Sequence, residues 1–115
     1  MANTFKQISK AGVTSSDVIY TVAGSTTTVV IGLIIGNTQS SDITVTLTLS
    51  TDTGSRSGAN NEDNQPVELL TSTTIPANSS LELLAGNKIV LETTDVINLT
   101  ASAAADISIS VMEIT

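Results

Sequence analysis

A chain of 115 residues is long enough to bury one core and short for two. It contains no Cys and no His, which removes disulfides, thiolate chemistry, Cys/His zinc sites and the usual general base at neutral pH. Four basic residues against eleven acidic ones, for a net charge of -7, leave no cationic patch for nucleic acid and no polybasic cluster for an anionic membrane, while two aromatics, Phe5 and Tyr20, require an aliphatic core.

Residues 1–13, "MANTFKQISKAGV", read as an N-terminal arm or an edge strand. The segment holds Lys6 and Lys10, half of the cations in an acidic chain, together with Phe5. Two fates for Phe5 stay open: an anchor inserted into a partner, or a residue of the domain's own core. "DVIYTVA" follows as a strand, with Val18, Tyr20 and Val22 in alternation and an end near Gly24.

"TTTVVIGLIIGN" (26–37) is too short an apolar run to span a bilayer, and it lacks the short basic start of a secretory signal. Its β-branched residues and its two glycines, Gly32 and Gly36, disfavour a helix and predict the central strand of a packed sheet, buried on both faces. "NTQSSD" forms turns readily, so 26–36 and 42–51 are expected to make an antiparallel hairpin. "DITVTLTLST" sets Ile43, Val45, Leu47 and Leu49 against Thr44, Thr46, Thr48 and Ser50, the period of a half-buried strand.

The stretch from 52 to 66 has Ala59 as its one apolar residue, two glycines, a proline and the only arginine, and it reads as a long exposed loop. Arg56, Glu62 and Asp63 in this loop join Phe5, Lys6 and Lys10 as candidate partner contacts. Strands then follow around Val67 to Ile75, "SSLELL", "KIVLE", "DVINLTA" and "ADISISVMEI", where Ile107, Ile109 and Val111 oppose Ser108, Ser110 and Met112. Ile114 falls on the serine face. About eight short strands at this spacing predict a single all-β domain over 1–115, an antiparallel β-sandwich.

Chemistry is sparse. Serine has no histidine to activate it and no G-x-S-x-G elbow, and the acidic residues fall singly at strand ends or turns, so no catalytic, cofactor or metal residues are expected and the chain does not read as an enzyme. "NNEDN" (60–64) carries oxygen ligands without the spacing of a calcium loop. Asn78 and Asn98 match the glycosylation acceptor pattern, as chance allows in a chain this rich in Ser and Thr.

"STTTVVIGLIIGNTQSSDITVTLTL", "TIPANSSLELLAGNKIVLETTDVINLTAS" and the terminal "ISVMEIT" resemble small virion structural proteins of tailed bacteriophages. The motifs that carry the resemblance are "YTVAGST" leading into the apolar strand, the Pro76-Ala77-Asn78-Ser79-Ser80 turn, the strand Gly86-Asn87-Lys88-Ile89-Val90-Leu91 and the strand Thr94-Asp95-Val96-Ile97. The resemblance implies a jelly-roll-like sandwich located in the virion, most simply a capsid decoration or cement protein on the head exterior. Its partners would be the major capsid protein or other virion proteins, and it would form a homo-oligomer, a trimer by analogy. A tail, neck or baseplate component is the nearest alternative. A receptor- or glycan-binding module is a third, weakened by the scarcity of aromatic faces on which a sugar stacks. Few charges or prolines guard the strands, and aliphatic residues exceed what one buried face needs, so association through sheet edges or an apolar face is expected.

Overall fold

The computed structural model describes residues 2–51, 65–84 and 87–115. Arg56, Glu62 and Asp63, and with them nearly all of the expected 52–66 loop, lie outside the described residues. Among the described residues nine strands follow in chain order: β1 Asn3–Val13, β2 Asp17–Thr21, β3 Thr27–Asn37, β4 Ile43–Thr51, β5 Gln65–Ile75, β6 Ser80–Glu82, β7 Ile89–Leu91, β8 Val96–Ala101 and β9 Ala105–Ile114. They form two antiparallel sheets packed as a β-sandwich, β1-β9-β3-β6 with β7 also on β3, and β2-β8-β4-β5. β6 pairs with residues 34–36 of β3 and β7 with residues 28–30, so the two short strands lie end to end along one edge.

The pairing is nested. The first strand pairs with the last, β2 with β8, β3 with β6 and β7, and β4 with β5. Consecutive strands β1 to β4 therefore alternate between the sheets, and this corrects the expected hairpin of 26–36 with 42–51. β3 and β4 face each other across the core, joined by a link that changes sheet. The buried Asn37 at the end of β3 fixes that link: its Nδ2 lies 2.9, 3.0 and 3.1 Å from the carbonyls of Ser41, Ile75 and Pro76, and its Oδ1 accepts from the backbone N–H of Gln39 at 2.8 Å. Thr38 and Gln39 bind Ala104 O from the other side. The turn-forming residues were legible in the sequence, but which strand they returned to depended on contacts 38 and 66 positions away.

The core is aliphatic, as the composition requires. Val30, Leu33 and Ile35 of β3, Ile43, Val45 and Leu47 of β4, Ile97 and Leu99 of β8, and Ile107, Ile109 and Val111 of β9 are all buried. The alternation of β4 gives an inner apolar and an outer hydroxyl face, and that of β9 does so at Ser108 and Ser110 before its outer face turns apolar at Met112 and Ile114. β3 is one-faced as well, contrary to the expectation of burial on both sides: Ile31 and Ile34 are exposed. A bulge between Val30 and Gly32 lets Val30 and Leu33 both point inward although they are three apart, so the continuous apolar run is two half-turns of a one-sided strand. A second bulge, between Val18 and Tyr20, buries Ile19 and Tyr20 together and leaves Val18 outside.

Candidate docking face

Among the described residues, the outer face of the five-stranded sheet carries four of the six exposed large hydrophobic side chains, Phe5, Ile31, Ile34 and Val90. Register places Phe5 beside Met112, Met112 beside Val29, and Val29 beside Val90. Directly opposed residues of antiparallel strands share a face, so these four side chains form one row across β1, β9, β3 and β7. Phe5 is 72% exposed and Val90 59%. Ile114 lies one row further along, beside Asn3 and Thr27, and Ile31 sits in the β3 bulge next to the row. Phe5 is thus out of the domain's own core, which overturns the second of the two fates open from sequence.

Along the same face the relief falls. Gly32, Gly36, Ser108, Ser110 and Ser9 are small, and a groove of about 500 Å³ opens between Gln7, Ser9, Ala11, Ile34, Gly36 and Ser108. A Cβ added at Gly32 or Gly36 would meet nothing closer than 3.8 Å, so the glycines lower this floor without being demanded by tight packing. Two carboxylates, Asp106 and Glu82, stand beside the groove; the row's neighbours on β1, β9 and β3 are uncharged, while Lys88 and Glu92 flank Val90 two positions to either side.

Lys6 and Lys10 belong to the same strand as Phe5 but point the other way, toward β2. Lys6 Nζ is 2.9 Å from Glu113 Oε1, and Lys10 Nζ is 3.1 Å from Asp17 Oδ1 and 3.0 Å from Val18 O. Both cations are therefore engaged within the chain. The sequence placed them with Phe5 by proximity alone; the period of two separates them from it.

Glu113 completes a network that sequence reading missed. Tyr20 Oη donates to Glu113 Oε2 at 2.6 Å and, with its one proton so used, accepts from Thr28 Oγ1 at 2.8 Å. Strands β1, β2, β3 and β9 meet here, and the two sheets are tied by polar contacts where the apolar core ends. Burial, and then the bond to Glu113, push the Tyr20 phenol up to about 12, while the bond from Tyr20, followed by that from Lys6, holds the Glu113 carboxyl below its ordinary value. The one legible signal was the tyrosine itself, a polar group in an aliphatic chain that must find a partner when buried.

Asp95 departs from the solvating role expected of the acidic residues. It is fully buried, its Oδ2 accepts the N–H of Glu92 at 3.0 Å, and its backbone binds Val22. Among the described residues no group of three acidic side chains is placed to hold a metal ion. Compared with known proteins, the chain matches no family profile, no curated protein and no solved structure.

Proposed function

We propose that this protein is an accessory structural protein of a tailed-bacteriophage virion, a jelly roll that docks on the exterior of the head as a decoration or cement protein and has no enzymatic activity. Support for the jelly roll comes from the nested pairing, first strand with last and inward from there, which is how a long two-armed hairpin rolls into two sheets. The fold alone carries no function. The observation that carries the reading is the apolar Phe5-Met112-Val29-Val90 row, which crosses the outer face of the five-stranded sheet on an acidic molecule and leaves Phe5 and Val90 exposed.

Such a surface suits a protein held soluble by net negative charge until it meets a complementary lattice. The sequence resemblance to phage virion proteins supplies the particle, and the absence of a recognisable acid/base or nucleophile constellation fits a structural role. Co-sedimentation of labelled protein with purified particles that lack it tests the reading. Saturable binding in many copies per head is expected; binding confined to tails supports the neck or baseplate alternative, and no binding to particles removes the proposal.

A further inference from the structure

The ridge and the groove lie on one face, at matching distances from one line. Gln7, Ser110 and Gly32 form a row across β1, β9 and β3. Phe5 is two residues to one side of it, and Ser9, which lines the groove, is two residues to the other. We propose that two copies of this chain pack face to face through their five-stranded sheets, about a two-fold axis lying in the interface along the Gln7-Ser110-Gly32 row, so that each Phe5 ring enters the groove of the other copy. Rotation about that axis exchanges the two ends of every strand and keeps its position across the sheet, which carries Phe5 of one copy onto Ser9 of the other. The face is self-complementary, as an isologous contact requires.

Charge and area point to the same occupant. Two molecules of charge -7 repel, and they can meet only where their carboxylates are absent or kept apart. The axis brings Asp106, level with Ala11, opposite the Asn3-Ile114-Thr27 row, and Glu82, level with Ile34, opposite the row of Val90, so neither of these carboxylates meets its own counterpart. Strands of eleven residues, four positions wide, present roughly 600 Å² of planar face at the usual strand rise and spacing. The accessible surface exceeds the planar one, and about 800 Å² per partner is what a stable specific contact buries. Aligned packing of the two sheets would make a four-layer sandwich with its middle interface filled by Phe5, Met112, Val29, Val90 and Ile34. This contact closes at two copies, in place of the trimer implied by the resemblance; because it covers the proposed docking face, it describes the protein free of the particle, and the two copies must part before that face docks.

The cysteine-free chain allows a direct test. Sedimentation equilibrium of the isolated protein over a micromolar series is expected to show a reversible dimer, and Phe5→Asp should return the monomer mass with an unchanged circular dichroism spectrum. In a Phe5→Cys/Ser9→Cys variant, the two thiols of one chain are about 13 Å apart along a strand, too far for an internal disulfide. Mild oxidation should therefore give a covalent dimer, while Thr44→Cys on the outer face of the other sheet should not. A monomer throughout the series, a dimer that survives Phe5→Asp, or equal cross-linking of the Thr44→Cys control overturns the proposal. Particle binding is measured separately, so a folded monomer that still binds particles would end this inference and leave the proposed function standing.

Discussion

Tyr20 shows what a single polar side chain does in an aliphatic sandwich. Tyr20→Phe removes one donor and one acceptor at a buried site, leaving the Thr28 hydroxyl and a Glu113 oxygen without their partner. A loss of about 1–3 kcal/mol is expected in denaturant titration. The pH dependence follows from the direction of each shift. Tyr20 binds its proton more tightly folded than unfolded, so its contribution is complete below pH 10 and disappears as pH rises toward about 12. Glu113 is the reverse: its folded carboxyl is more acidic than the ordinary 4.5, so its contribution is present above that value and is lost as pH falls through the lowered one. Wild-type stability should therefore fall off at both limits, and the alkaline limb between 10 and 12 should be absent from Tyr20→Phe; an identical alkaline limb in the variant would refute the network. Gly12 is the other informative residue. It stands at φ +69 in the bulge between Lys10 and Val13, where its N–H binds Asp106 Oδ1 at 3.0 Å. Its surroundings are open, so Gly12→Ala is opposed by backbone conformation alone and should lose about 1 kcal/mol.

At the scale of elements, the strands were legible wherever one face alternated cleanly. β4 could be read residue by residue because Thr or Ser stands at each outer position from Thr44 to Ser50, and β9 from Ile107 to Val111 because Ser108 and Ser110 do. β3 misled because its outer positions are themselves apolar or glycine: Val29, Ile31, Gly32 and Ile34 remove the contrast on which periodicity depends, and the bulge shifts the phase midway. That same feature makes the candidate face, so the failure of alternation marked the surface of interest. The Phe5-Met112-Val29-Val90 row was hidden for another reason, since it draws one residue from each of four strands and exists only once register is fixed. β1 makes a prediction of its own. It pairs with β9 along nearly its whole length and supplies Lys6 to the Tyr20 network, so deleting residues 1–10 should lower the melting temperature sharply, where loss of a free arm would leave it unchanged. Thr94 marks the turn before β8 with φ 68, a conformation that a β-branched residue adopts only under strain. Thr94→Gly is expected to raise stability by about 1 kcal/mol, with melting temperature as the readout.

For the molecule as a whole, composition and topology explain a sandwich built on an aliphatic core without a disulfide. Leu47 and Leu99, neighbours on β4 and β8, are both fully buried, and Leu47→Ala should cost about 2–5 kcal/mol. The sheet order could not be derived from the chain, because nested pairing is written in contacts between opposite ends of the sequence, such as Asn3 with Ile114. What the described residues present outward is an apolar row on one sheet face of an acidic chain, and the proposal rests on that face docking on a phage particle. Quantitative mass spectrometry of purified virions, with copies counted against the major capsid protein, tests this most directly. Hundreds of copies per particle are expected of a head decoration protein; absence from the virion would contradict the account, and a dozen copies or fewer would move the protein from the head to the tail or neck.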